Sequence, residues 1–367
     1  MIIDHLKEEL YELIKINDNN KIILSLVSNY LNYDSTYIKK KMIDIFKKNI
    51  DNNITNEDAY KLLLIDLFSE QVDCKYYPLI KEYIINEVKK VNIKEYLNNP
   101  YYLNIKVNNM TQDSWKLIKQ NYQPYEGFIY NFTKDYNNFV SYPSLGFFDK
   151  EFSYLTVLEN NREWMAVKPN EIETMKDPIN KASGNVLTFG LGLGYFAYMA
   201  SLKEDVTSVT IVEKDEKVIN LFKKYLLPNF THKEKINIIK EDAFLYYNRL
   251  NDNDYDYIFI DIWHDVSDGI NSYLKFKNNE NKFKTTKIEY WIEKEILLFL
   301  RTIIISLLKE VNDGINPLNV QSKKQDIDNL YKSIYLYLEK ENIKSLYDFL
   351  TLTNLKEISK YILINNN

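Results

Sequence analysis

The stretch VLTFGLGLGYFAY, residues 186–198, carries three of the eight glycines of this 367-residue chain, at Gly190, Gly192 and Gly194. The β-favouring run VLTF leads straight into Gly190, and an apolar helical pattern begins near Tyr195. Glycine in a strand-to-helix turn opens backbone angles closed to other residues. It also lets a ligand lie against bare main chain, facing the amides and positive dipole end of the new helix. A tight turn needs one glycine; three at alternate positions point to a ligand-binding loop. Gly192-x-Gly194-x-x-Ala197 formally fits the dinucleotide fingerprint. Its register does not, because the strand ends before Gly190, ahead of the first glycine of that pattern.

Outward from the loop, further β-type runs follow: VTIVE (209–213), INII (236–239) and YIFID (257–261). The helical stretches YFAYMASL and EKVINLFKKYLL separate the first three, the second placing Val218, Ile219, Phe222 and Leu226 on one face. Alternating strands and helices predict an α/β fold with a parallel, Rossmann-like sheet and right-handed crossovers. Glu213 ends the second strand, Asp242-Ala243 follows the third, and Asp261 ends the fourth. Ligands of open α/β sheets bind at this carboxyl edge. One such acid alone is more often a solvated loop residue; three in register point to one site.

The flanks read differently. Residues 1–140 are expected to form a mainly helical N-terminal domain, with Leu6, Leu10 and Leu13, then Tyr60, Leu63, Leu64 and Leu67, at helical spacing. Its last forty or so residues are rich in aromatics and weak in periodicity. Residues 141–182 read as antiparallel strands and linker, with turns at DK and ENN in LGFFDKEFSYLTVLENNREWMAV (145–167). The core spans 183–285, and 286–367 is a helical C-terminal region containing WIEKEILLFLRTIIISLL (291–308). No strand pattern is evident after Asp261. Either the sheet is shortened or its missing strands lie in the aromatic stretch before residue 183.

Composition narrows the function classes. Hydrophobic residues make up 45% and charged residues 27% of the chain, ordinary for a soluble globular protein. No apolar run is long enough to span a bilayer, and the start MIIDHLKEEL lacks an apolar signal core. A cytoplasmic location is expected. The single cysteine, Cys74, has no disulfide or metal partner and is expected to be buried packing. A net charge of −5 without a persistent basic stripe disfavours nucleic acid as a partner.

On these residues, 183 to about 268 resemble class I S-adenosylmethionine-dependent methyltransferases, and among them the spermidine synthase-like branch. The Gly190-x-Gly192-x-Gly194 loop is similar to that family's cofactor loop. VTIVEKDEKVINLFKKYLLP (209–228), IIKEDAFLY (238–246) and YDYIFIDIWHD (255–265) resemble the branch's second strand and helix, adenine-site acid, and fourth strand. PNEIETM (169–175) resembles the stretch before its first strand. The resemblance implies S-adenosyl-L-methionine as cofactor. The glycines would pack against its amino acid portion and ribose, Glu213 would take the ribose hydroxyls, and Asp242 with the backbone of Ala243 would meet the adenine. NAD enzymes also place an acid like Glu213, so that residue does not discriminate.

The departures weigh on the chemistry. Class I methyltransferases often carry an acid where this chain has Thr188, and aminopropyltransferases usually carry an aspartate where it has Leu193. Aminopropyltransferases also carry two acids three apart after the fourth strand; here Asp261 and Asp265 are four apart. These differences favour methyl transfer to a small-molecule or peptide acceptor. Aminopropyl or other alkyl transfer from an adenosyl sulfonium is the alternative, and a non-catalytic binding protein of this fold is a third reading. In the loop DIWHDVSDG, Asp261 is a candidate to orient or deprotonate an acceptor, or else a helix cap or cofactor contact. His264, one of three histidines, is a second catalytic candidate that would sit beside the cofactor's methyl group, or else a residue that packs or bonds to backbone. Trp263 is a pocket wall or core packing. Asp265 is a pocket acid or, with Asp268, the cap of the next turn. The N-terminal helices are a substrate-recognition module, a structural cap or a homodimer surface.

Overall fold

The computed structural model describes residues 5–112, 114–136, 138–319 and 325–363. The first four residues of the charged start therefore lie outside the described ones. Helices α1 (Lys7–Asn29), α2 (Lys40–Ile50), α3 (Asn56–Ser69) and α4 (Tyr77–Glu87) open the chain. The Thr55 hydroxyl accepts the Asp58 N–H and starts α3, with Glu57 and Asp58 at its positive dipole end. Tyr60 and Leu64 of the predicted stripe are buried, beside Tyr30, Phe68 and Tyr83. Cys74 is exposed, not buried as expected: it lies on a 3-10 turn, Cys74–Tyr76, that Asp73 caps on the surface.

Strand β1 (Val88–Lys90) and the short helices α5 (Ile93–Leu97) and α6 (Pro100–Asn104) lead into a β region. It comprises β2 (Met110–Gln112), β3 (Trp115–Tyr122), β4 (Gly127–Asp135), β5 (Ser141–Phe147), β6 (Phe152–Glu159) and β7 (Arg162–Ala166). Strands thus begin at Val88 and dominate from Met110, inside the stretch read as mainly helical. The aromatics that blurred its periodicity pack between strands: the Tyr122 ring stacks on Phe128 at 4.6 Å and Phe128 lies 4.7 Å from Phe148. Two sheets result, ordered β2-β3-β6-β7 and β1-β5-β4. The ENN turn falls between β6 and β7, with Asn160 and Asn161 at φ 50° and 63°. Helix α7 (Pro169–Lys181) carries PNEIETM and starts on Pro169, which has no N–H to leave unpaired there.

The core then alternates as the sequence predicts: β8 (Gly184–Phe189), α8 (Tyr195–Ser201), β9 (Val206–Glu213), α9 (Glu216–Leu221), β10 (Ile236–Lys240), α10 (Ala243–Arg249), β11 (Tyr257–Ile260) and α11 (Val266–Asn278). A fifth strand, β12 (Lys287–Tyr290), follows within the region expected to be helical. All five strands are parallel, in the order β10-β9-β8-β11-β12. This is a Rossmann-like, open parallel sheet. Helices cover both faces, so β8 and β11 read as continuous apolar runs.

After β12 come α12 (Glu293–Asn312), α13 (Gln325–Leu338), α14 (Leu346–Phe349) and α15 (Leu352–Ile358). Ile296, Leu300, Ile304 and Leu307 form the buried stripe of α12. No described helix is long and apolar enough to cross a membrane. Far-separated parts of the chain are stitched together. His5 Nε2 lies 3.1 Å from the Ile343 carbonyl, and Glu9 of α1 accepts the Leu346 N–H at 2.6 Å and the Ser345 hydroxyl at 3.2 Å.

Candidate functional site

A cavity of about 420 Å³ opens at the carboxyl edge of the sheet. The Gly190 N–H bonds the Val212 carbonyl at 3.0 Å and its φ is 93°. A Cβ on Gly190 would lie 1.9 Å from the Asp261 carbonyl oxygen, so no side chain fits there. Gly192, at φ 50°, faces the Met165 thioether, whose Sδ would be 3.1 Å from an added Cβ. Both glycines line the cavity. Gly194 does not: at φ 72° it heads α8 with its bare Cα against Phe222, 2.4 Å from where a Cβ would stand. The third glycine of the loop therefore serves helix packing, not the ligand contact expected of it.

Glu213 fixes the loop before any ligand arrives. Its Oε2 accepts the Leu191 N–H at 3.3 Å and its Oε1 the Asp215 N–H at 2.8 Å. Asp242 caps α10, its Oδ1 accepting from Phe244 N at 2.9 Å and Leu245 N at 3.1 Å. Ala243 and Phe244 continue the same wall. The three strand-end acids, Glu213, Asp242 and Asp261, thus meet around one space.

Asp261 follows β11 and is anchored through its N–H to the Phe189 carbonyl at 3.0 Å. Desolvation pushes its carboxyl up to about 7. Glu171, in the first turn of α7, is also held well above the carboxylate range, first by burial and then by the charge of Asp261. The sequence did not single out Glu171; only its place within PNEIETM pointed that way. Trp164 and Met165 of β7, which also line the cavity, were likewise unforeseen.

The loop after β11 divides its residues. Trp263 lines the cavity and is 5% exposed, pressed against Gly269, whose missing Cβ would be 2.8 Å from its Cγ. His264 stands on the exposed rim, its Nδ1 3.3 Å from Asp268 Oδ2. Asp265 is no pocket residue: its Oδ1 accepts from Ser267 N and Ser267 Oγ, each at 2.7 Å, and forms a capping box with Asp268 at the start of α11. Leu193 is fully buried, with its carbonyl taking the Tyr101 hydroxyl at 2.7 Å. Thr188 is buried within β8.

An adenosyl group fits these residues. Gly190 and Gly192 line the cavity beside Glu213 with the movable Met165 thioether over Gly192, and Asp242, Ala243 and Phe244 line it too. The lining is strongly acidic: Glu213, Asp215, Glu241, Asp242 and Asp261 face it against Lys214. Among the described residues no acid, histidine or cysteine cluster could hold a metal ion.

Residues 181–296 match the Spermine/spermidine synthase domain. A search of curated proteins finds no match. Among solved structures, the chain is similar to spermidine synthase from Thermotoga maritima, at 16% identity and a TM-score of 0.30, over 42% of this chain and 59% of that one. It is similar to a spermidine synthase in complex with the transition-state analogue AdoDATO, at 15% identity and a TM-score of 0.32, over 42% and 60% of the two chains. A probable spermidine synthase from Corynebacterium glutamicum aligns at 13% identity and a TM-score of 0.26, over 35% and 52%. The chain thus covers less than two thirds of each of these proteins. The domain match coincides with the parallel core and its cavity.

Proposed function

We propose that this protein transfers an aminopropyl-type alkyl group from an adenosyl sulfonium to an amine acceptor. The observation that carries this reading is the Asp261 carboxyl, raised to about 7, inside an acid-lined cavity behind Gly190 and Gly192. The synthase-domain match over the same residues supports it. It revises the preference for methyl transfer that the loop sequence suggested.

An amine acceptor is protonated in neutral water and must lose that proton to become a nucleophile. A base works best when its pKa lies near the working pH, and Asp261 meets that condition. The charge of Asp261 adds to the burial that holds Glu171 above the carboxylate range, so ionising both carboxyls together is disfavoured. Glu213 and Asp242 hold ribose and adenine in this reading, and the Gly190 turn sets their distance from Asp261. Trp263, Trp164 and Met165 exclude water from the reacting end. The sulfonium supplies the electrophilic carbon when bound. The acidic lining favours a ligand without a carboxylate, which is the decarboxylated form of S-adenosylmethionine.

Leu193 favours a second reading, methyl transfer from intact S-adenosylmethionine to a small-molecule or peptide acceptor, because the acid expected to hold the decarboxylated form is missing there. Calorimetry with both cofactor forms, followed by mass analysis after incubation with a short diamine, separates the two. The expected result is at least tenfold tighter binding of the decarboxylated form and a product heavier by one aminopropyl group. Tighter binding of the intact form with methylated product supports the second reading. Binding of NAD and of neither adenosyl compound overturns both.

A further inference from the structure

A second cavity, of about 260 Å³, lies between α1, the β4–β5 region and α12. Leu13, Ile16 and Leu24 on one side and Phe139, Leu298 and Ile305 on the other give it apolar surface, with Asn17 and Thr302 among the polar residues between them. One carboxyl group lines it, that of Glu295 in the first turn of α12. Glu295 Oε1 accepts the Thr133 N–H at 2.8 Å, while Oε2 is buried without a partner.

Two of the other polar groups around this space, Arg301 and Asn20, are committed elsewhere. Arg301 pairs with Asp135 through Nη1 at 2.7 Å and Nη2 at 3.2 Å, and its Nε donates to the Leu350 carbonyl at 3.0 Å. Its charge is therefore matched. Asn20 donates to the Phe139 carbonyl at 3.0 Å and accepts the Ser141 N–H at 3.1 Å. An unpartnered carboxylate oxygen in an apolar setting is costly, and a charged donor relieves that cost. The terminal torsion of a glutamate is soft, so its carboxyl turns readily toward such a donor. The volume is below the ~300–1,000 Å³ usual for drug-sized ligands, so the occupant is small.

We propose that this cavity binds a primary ammonium ion on a short alkyl chain, with Glu295 taking the ammonium and the walls of α1 and α12 taking the chain. Burial holds the Glu295 carboxyl up to about 7, and an arriving cation draws it back toward its ionised form. Val266, the first residue of α11, lines this cavity too, so its occupant touches the segment that continues from Asp261. The proposal stands on this geometry and does not depend on which reaction the first cavity performs.

The test is calorimetry on the full chain with propyl-, butyl- and pentylammonium chloride and no adenosyl compound. Saturable binding is expected, tightening about fourfold per added methylene until the cavity is full. Neutral 1-butanol should bind at least tenfold more weakly than butylammonium. Glu295→Gln keeps an acceptor for the Thr133 N–H, should stay folded, and should weaken butylammonium at least tenfold. Leu24→Trp, at the partly exposed edge of the cavity, should weaken the longer amines most. S-adenosylhomocysteine binding to Glu295→Gln, measured separately, reports only on the first cavity. Equal binding of butanol and butylammonium, equal binding by Glu295→Gln, or no saturable heat overturns the proposal. Loss of amine binding in Asp261→Asn but not in Glu295→Gln would place the amine in the other cavity and overturn it as well.

Discussion

Gly190 and Asp261 meet main chain to main chain, so closely that a Cβ on the glycine would stand 1.9 Å from the aspartate carbonyl oxygen. The turn that shapes the ligand loop and the residue offered as base are thereby fixed to each other. Gly190→Ala must push the two strands apart and also adopt a φ of 93°. We expect a loss of about 2 kcal/mol or more in folding stability. Gly192→Ala, which meets only the movable end of Met165, should cost less. Chemical denaturation of both variants checks the order, and equal stability of Gly190→Ala and wild type would contradict the geometry.

In the proposed reaction, Asp261 would link turnover and stability to pH in opposite directions. Its carboxyl moves from an ordinary 3.8 to about 7 in the folded protein. Transfer should therefore rise as pH increases through about 7, where the base is freed. The stability contribution runs the other way: it is fully present below pH 3.8 and is lost as pH rises to about 7. Asp261→Asn should lower single-turnover rate by about 100-fold or more while changing adenosyl affinity little. It should also melt higher than wild type at pH 8 and not at pH 4. A variant that turns over normally would remove Asp261 from the chemistry.

Placing at Leu193 the aspartate that aminopropyltransferases usually carry should not tighten binding of decarboxylated S-adenosylmethionine. The side chain is fully buried and does not line the cavity. Leu193→Asp puts an unpaired carboxylate into the core, at an expected cost of about 3 kcal/mol or more. Thermal unfolding will show this directly. A stable Leu193→Asp protein with tightened binding of the decarboxylated cofactor would mean that the loop adopts another shape when loaded.

Met165 covers Gly192, so a ligand lying on the loop must push its thioether aside. Met165→Ala should speed association of S-adenosylhomocysteine several-fold in stopped-flow measurements, with a smaller change in dissociation. Unchanged association would show that the side chain swings away at no cost.

The parallel core was legible because its central strands β8, β9 and β11 are largely buried and its strands end on turns that carry glycine or an acid. That pattern put Glu213, Asp242 and Asp261 on one edge, where all three line the cavity. The fifth strand was hidden because Lys287–Tyr290 is four residues long and runs directly into the apolar pattern of α12. Glu171 was hidden because its meaning comes from where α7 docks, which local spacing does not encode. Gly194 illustrates a different limit. Its positive φ was foreseeable, but whether ligand or Phe222 fills the space beside it depends on α9 and the turn that follows. Asp265 shows the same ambiguity resolved locally, since Ser267 and Asp268 supply every partner of a cap.

The contacts of His5 and Glu9 with Ile343–Leu346 join residues 338 and 337 positions apart. During synthesis the first helix therefore emerges long before the backbone that anchors it. Until residues 343–346 leave the ribosome, α1 cannot complete its seat, and one wall of the Glu295 cavity is assembled last.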